Sequence, residues 1–164
     1  MSGFVIPNLP ADTTPTDSAP AVEPPIVNDG WFPDIVPADL RKQVRVRDTV
    51  TIERLRAAVL FAIISVGNQL VVWQAARAAE GRTRLADVPA PQIDGESRLT
   101  ILYRTAVYAE AKARLVESYR DTDLTGAGQR KVDDLDPSIS ELRRDAIHAV
   151  RDILGRTRTS VELI

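Results

Sequence analysis

Between Arg56 and Arg77 the chain runs for twenty residues, 57–76, without a formal charge. Thr51 precedes this run with N-cap chemistry and Gly81 follows it as a stop, so the pattern predicts one helix over 51–80, roughly 45 Å long at 1.5 Å per residue. Ile52, Leu55, Val59, Ile63 (or Ala62), Val66, Leu70 and Trp73 recur at three- and four-residue steps and form an inner stripe. Leu60, Phe61, Ile64, Val71 and Val72 load the other sides. A helix that is apolar nearly all round needs cover on more than one face. A chain of 164 residues supports one domain, whose remaining helices supply only part of that cover. Self-association is the natural expectation, with Ile64 and Val71 as candidate contacts on the second face. The run also has the length of a minimal bilayer span. Ser65, Gly67, Asn68, Gln69 and Gln74 interrupt it, however, and an Asn-Gln pair near its middle would need partners in lipid. The reading is a helix of a soluble protein, with no membrane partner.

Three shorter helices complete an all-α expectation: a small bundle of four principal helices, with the long one central, an extended N-terminal arm and an extended C-terminal tail. The first is predicted over 37–47, opened by Pro37 at a position where a missing N–H costs nothing, with Asp39 in its first turn. Leu40, Val44 and Val46 face inward, while Arg41, Lys42, Arg45 and Arg47 form a solvated cationic face. After Gly81 a turn-rich connector carries Pro89 and Pro91, and Asp94 is read as the cap of a third helix over 96–120 with Glu96 in its first turn. Its face is Leu99, Leu102, Ala106, Ala109, Ala113 and Val116, where the alanines allow close helix approach. Residues 121–134, with Gly126 and Gly128, read as a loop. A fourth helix over 137–154 has two competing starts, Asp136-Pro137 and the capping-box pair Ser138 and Glu141, and a stop at Gly155.

The chain divides by charge at residue 36. The first thirty-six residues hold five acids (Asp12, Asp17, Glu23, Asp29, Asp34), seven prolines and no lysine or arginine. A segment of this kind cannot bury enough surface alone to offset its ordering entropy. Residues 1–36 are therefore expected as an arm, with 1–30 ordered only on a partner. Trp31, Phe32, Pro33, Asp34 and Ile35 are the candidate anchor for docking on a neighbour, against the alternative that they cap the subunit's own core. Residues 37–164 form the helical domain. Its tail, 156–164, alternates polar and aliphatic positions, so Val161, Leu163 and Ile164 either add to a neighbour as an extended strand or fray.

The chemistry of enzymes is missing. With no cysteine there are no disulfides, thiolate metal sites or cysteine nucleophiles, and the single histidine, His148, cannot build a multi-histidine site. Gly126-Ala127-Gly128-Gln129-Arg130 resembles a fragment of a phosphate loop but lacks the preceding strand and the third glycine. Asp133, Asp134 and Asp136 lack the glycine and terminal glutamate of a calcium loop. The net charge of −2 argues against a dedicated nucleic-acid binder. The first seven residues, Met1-Ser2-Gly3-Phe4-Val5-Ile6-Pro7, lack the basic and apolar regions of a secretion signal, so no export is expected.

Several segments in order carry a resemblance: Trp31-Phe32-Pro33-Asp34-Ile35, Thr49-Val50, Arg54-Leu55-Arg56-Ala57-Ala58, Leu85-Ala86-Asp87-Val88-Pro89-Ala90, Ile93-Asp94-Gly95-Glu96-Ser97, Tyr119-Arg120 and Leu142-Arg143-Arg144-Asp145. The chain resembles the head completion or head stabilisation family of temperate contractile-tailed phages, of the gpL type, from about Trp31 to Ile164. The two connector motifs together are its specific part. The resemblance implies a virion neck protein, assembled in the host cytoplasm. Many copies would form a homo-oligomeric ring beneath the portal protein and continue its channel. The ring would lie close to the packaged double-stranded DNA and present a surface to the next neck or tail-terminator protein. It transfers no catalytic residue, cofactor or metal.

Two other classes stand beside it. A small helical DNA-binding regulator would need a short helix–turn–helix with exposed base-reading side chains, whereas the long helix is too apolar and the connectors too long. A peripheral membrane scaffold protein could use the charge-free helix, and lipid flotation separates that reading from a soluble ring.

Overall fold

The computed structural model describes residues 23–47, 49–120 and 137–156. Four helices carry the fold: α1 (Pro37–Gln43), α2 (Ile52–Ala79), α3 (Arg98–Arg120) and α4 (Ile139–Ile153). A 3₁₀ turn, Leu85–Asp87, and a two-stranded hairpin, β1 (Gln92–Ile93) with β2 (Glu96–Ser97), connect α2 to α3. The mostly helical expectation holds, with the long helix where the charge-free run placed it. The expectations for residues 1–22, for the loop 121–134 with its glycines and acids, and for the tail from 157 onward, including Val161, Leu163 and Ile164, lie outside the described residues.

Cap chemistry sets the boundaries. The Thr51 hydroxyl accepts the Arg54 N–H at 3.4 Å. Gly81, at φ +83°, turns the chain out of α2 while the Arg82 N–H donates to the Arg77 carbonyl at 3.2 Å. That six-to-one bond satisfies a carbonyl the helix end would otherwise leave open. At α4 the competing starts resolve in favour of the capping box: Ser138 Oγ accepts the Glu141 N–H, and the Glu141 carboxylate accepts the Ser138 N–H. Gly155 ends α4 with the same kind of bond, from the Arg156 N–H to the Arg151 carbonyl at 2.9 Å.

Two boundaries depart from expectation. α1 stops at Gln43 rather than 47 because Arg45 takes a left-handed conformation, φ +48°, and the Val46 N–H returns to the Arg41 carbonyl at 3.2 Å. The buried Lys112 ammonium of α3 donates to the Arg45 carbonyl at 2.9 Å and ties this corner to the core. Asp94 is not the cap of α3. Asp94 and Gly95, at φ +52° and +75°, are the two turn residues of the β1–β2 hairpin, which pairs Gln92 with Ser97 and Ile93 with Glu96. An Asp-Gly pair suits a two-residue turn that needs positive φ at both positions, and this outweighs its capping value. Glu96 consequently sits in β2, where it pairs with Arg104.

α3 is the most enclosed helix. It packs against both α2 and α4, and Ala106, Val107, Tyr108, Ala109, Ala111, Lys112, Ala113 and Leu115 are all buried. The alanines let neighbouring helices approach from more than one side. α2 contributes Leu55, Ala58, Val59, Ala62, Val66 and Leu70 to the core and lies on the flank of this arrangement. α4 presents Leu142, Ala146, Ala149, Val150 and Ile153 from the other side.

Residues 23–36 correct the picture of an arm that ends at 36. Ile26 and Ile35 are fully buried and bridge each other through two backbone hydrogen bonds, at 2.8 and 3.0 Å. Glu23 pairs with Arg41 of α1 at 3.0 Å, and the same guanidinium donates to the Val50 carbonyl. Apolar content at Ile26, Trp31, Phe32 and Ile35 offsets the ordering cost that the acidic, proline-rich composition implies.

The left-handed Arg45 predicts a gain on substitution. Arg45→Gly removes a Cβ penalty of about 1 kcal/mol, so the urea midpoint is expected to rise with an unchanged m-value. A lower midpoint would show that the corner is held by the arginine side chain instead.

Candidate assembly surfaces

Two regions were singled out by sequence for partner contact within the described residues, and the fold treats them oppositely. The first is the loop from Ile26 to Ile35. Asn28 and Asp29 organise it through short-range polar bonds. Asp29 Oδ1 accepts the N–H groups of Trp31 and Phe32, each at 2.9 Å, and Gly30 supplies the positive φ, +84°, that the turn requires. The Asn28 N–H donates to the Asp34 carboxylate at 2.9 Å, and the Asn28 amide donates to the Pro33 carbonyl at 3.2 Å and to the Tyr103 hydroxyl at 2.8 Å.

This turn drives the aromatic side chains inward. Phe32 stacks on Tyr103 of α3, with centroids 4.4 Å apart and planes 11° apart. Trp31 meets Phe32 edge-on at 4.7 Å and Trp73 of α2 edge-on at 5.8 Å. The Trp31 indole N–H donates to the Arg82 carbonyl at 3.2 Å, its own carbonyl accepts the Leu85 N–H at 2.9 Å, and Gln74 of α2 donates to Asp29 at 3.0 Å. The loop thus joins the C-terminal half of α2, the start of α3 and the connector.

Trp31, Phe32 and Ile35 are therefore core residues of the subunit, and their reading as a docking anchor is corrected in favour of the own-core alternative. Pro33 is half-buried and Asp34 is exposed, with its carboxylate engaged by Asn28. The signal for this was in the sequence: Asn28-Asp29-Gly30 immediately before Trp31 is turn chemistry that folds a loop back on itself.

The second region is the outer face of α2, and it is open. Ile64 is 59% exposed, Val71 55% and Val72 81%, with Leu60 and Phe61 also exposed beside them. Of the large apolar side chains exposed among the described residues, Ile52, Leu60, Phe61, Ile64, Val71 and Val72 all belong to α2, while Val27, Ile93 and Ile147 stand singly elsewhere. The polar residues that interrupted the run sit on or beside this face. Asn68 is exposed within it, and the Gln69 amide folds back onto the Ser65 carbonyl at 3.2 Å. At one margin the Arg114 guanidinium of α3 lies 3.4 Å from the centre of the Phe61 ring, a cation–π contact that borders the apolar strip with charge.

No group of three or more metal-ligating side chains occurs among the described residues. His148 is half-buried on α4. The depression on the outer side of α4, lined by Ser138, Ile139, Ser140, Arg143, Arg144 and Ile147, is shallow and open. Arg143 pairs there with Glu117 of α3 at 2.7 Å. The unusual titration behaviour belongs to structural groups. Burial pushes the Tyr103 phenol from 10.0 up to about 12, opposed by the Asn28 hydrogen bond and reinforced by the nearby Asp29 carboxylate. The Glu141 carboxylate is held below its ordinary value by the backbone and side-chain hydrogen bonds of Ser138.

Comparison with known proteins adds independent information. The phage head completion protein family (GPL) matches residues 26–164. Its match begins at Ile26, the residue at which the N-terminal segment enters the core. The chain is 42% identical over 142 residues to the head completion/stabilization protein of Escherichia phage P2, covering 87% of this chain and 84% of the relative. It is 28% identical over 139 residues to the probable head completion/stabilization protein of Haemophilus phage HP1 (strain HP1c1), covering 85% and 91%. No solved structure matches the chain.

The loop makes two expected outcomes measurable. Trp31→Ala should cost about 3–5 kcal/mol of subunit stability in denaturant unfolding, as loss of a buried aromatic does, and an unchanged unfolding curve would return Trp31 to the surface. Because the native pKa of Tyr103 lies above its unfolded value, its neutral form contributes stability that is whole below pH 10. That contribution is lost as pH rises through about 12. Alkaline titration of unfolding should therefore show a shallower loss between those values in Tyr103→Phe than in the parent chain.

Proposed function

The chain belongs to the phage head completion protein family, whose members are structural and not enzymatic components of the virion head, and from that premise we propose how it acts there. It assembles as a homo-oligomeric ring beneath the portal, continues the channel that holds the packaged DNA, and presents a surface for the next neck or tail-terminator protein. The observation that carries this reading is the open outer face of α2, where Leu60, Phe61, Ile64, Val71 and Val72 stand exposed on one strip of a rigid helix. Apolar area of this kind, bounded by charge, is what a subunit conceals against its neighbours. The inner stripe of the same helix holds the monomer together, so one element couples folding to assembly.

A membrane reading has one specific observation behind it. α2 is long and apolar enough, by length and composition, to cross a bilayer. Against it, Asn68 stands exposed within the apolar strip and the other face of α2 is committed to α3. The small DNA-binding regulator has no comparable support, since the described turns place no short recognition helix behind a tight helix–turn–helix.

The test separates the two faces of α2. Ile64→Asp and Val71→Asp place a charge at the surface of the free subunit. They should leave it folded but weaken ring formation on portal, because assembly would bury that charge unpaired at a cost of about 3–5 kcal/mol. Val66→Asp, on the fully packed inner stripe, should instead abolish folding, as read by circular dichroism. If both outer-face variants bind portal as complete rings and restore full heads to a deletion phage, α2 is not the surface between subunits. Flotation of the parent chain with lipid vesicles would favour the membrane reading.

A further inference from the structure

The outer face of α2 has a finer order than exposure alone, and the following inference rests on its being covered by another copy. Ala57, Phe61, Ile64, Asn68, Val71, Ala75 and Ala78 are all exposed, and they follow one another at alternating steps of four and three residues. That is a heptad seam, with a mean spacing of 3.5 residues, the period of helices that pair in a shallow left-handed supercoil. Gly67 and Ser65 flank its centre, and nothing lies within 4 Å of where a Gly67 side chain would begin, so a second helix can approach closely there.

A seam of this kind needs a matching apolar seam. Among the described residues the other large exposed apolar side chains are Ile52, at the start of α2 and off this face, and Val27, Ile93 and Ile147, which stand singly elsewhere. Among the described residues the strip itself is the one surface that matches it. Leu60, Phe61, Ile64, Val71 and Val72 together expose roughly 500 Å² per copy, at the upper end for a monomer's largest apolar patch. Pairing two such strips would bury roughly 1,000 Å², the lower bound of a specific interface.

We propose that in the free protein the α2 seam pairs with the α2 seam of a second copy about a two-fold axis, and that ring assembly on the portal exchanges this pairing for the contact with a ring neighbour. Asn68 lies at the midpoint of the seam, so it meets its own mate whether the helices run parallel or antiparallel. A polar side chain at one core position of such a seam fixes register at some cost in stability. A two-fold contact uses the same patch on both subunits and closes at two copies. The pairing therefore removes the apolar strip from water without propagating rings or filaments away from the portal. Its modest area and central asparagine keep it exchangeable.

Because the chain contains no cysteine, one substitution reads the geometry directly. The full chain carrying Asn68→Cys should sediment as a dimer at tens of micromolar and form a disulfide-linked dimer on mild oxidation. Adding Ile64→Asp should abolish both without loss of helicity. The oxidised dimer should fail to complete heads in an assembly reaction with filled, portal-bearing heads, and reduction should restore completion. A chain that stays monomeric at all concentrations overturns the proposal. So do larger assemblies in which position 68 does not cross-link to itself, and so does a locked dimer that completes heads as well as the reduced protein.

Failure here is distinguishable from failure of the ring reading. If Ile64→Asp blocks head completion but Asn68→Cys never self-links, the ring surface stands and the two-fold pairing falls. If Asn68→Cys self-links while both Ile64→Asp and Val71→Asp complete heads, the pairing stands and the ring surface falls.

Discussion

A 28-residue helix, charge-free for the twenty residues 57–76 and packed on α3 along one stripe, is the constraint from which the rest of the structure follows. Leu55, Val59, Val66 and Leu70 are each nearly or fully excluded from solvent, while Ile64 and Val71, on the same helix, are more than half exposed. Among the described residues too few other elements remain to cover both sides. α3 is itself enclosed by α2 and α4, and α4 scarcely reaches α2. What remains apolar on α2 is matched by nothing else within the described subunit.

The loop from Ile26 to Ile35 completes the side that is covered. Trp31 and Phe32 fill the space between the C-terminal half of α2 and the start of α3, and the connector is bonded to Trp31 at Leu85. Without this loop Tyr103, Trp73 and Leu85 would line a second open apolar surface, and the contrast between the closed and open faces of α2 would vanish. Asn28 carries much of the geometry, because its amide joins the loop's own backbone to a phenol on α3. The segment acts as a wall of the core.

Much of this was legible in the residues, where a single local interaction decides the outcome. Thr51, Gly81, Ser138 with Glu141, and Gly155 mark helix ends because caps are made within a few residues of themselves. The two stripes of α2 were legible from spacing alone. The failures have physical causes of two kinds. At Asp94-Gly95 two local rules competed, and turn chemistry outweighed capping because positive φ was needed at consecutive positions. At Trp31, Phe32 and Ile35 composition misled: an acidic, proline-rich average concealed four buried apolar residues and an Asn-Asp-Gly turn that closes on them. Arg45 in a left-handed conformation gave no sequence signal, since its carbonyl is held by a lysine 67 positions away on α3.

The central claim is that the outer face of α2 is hidden by protein when the head is complete. A single cysteine placed by Ile64→Cys, with one by Val27→Cys as an exposed reference, allows that face to be read in intact particles. In the dilute free chain both thiols should react with a small maleimide. In completed heads the thiol at position 64 should become protected, and protection should be lost when the particles are dissociated. Equal reactivity at position 64 in the dilute chain and in completed heads would contradict the claim, because the strip would then face solvent in the virion as it does in the isolated subunit.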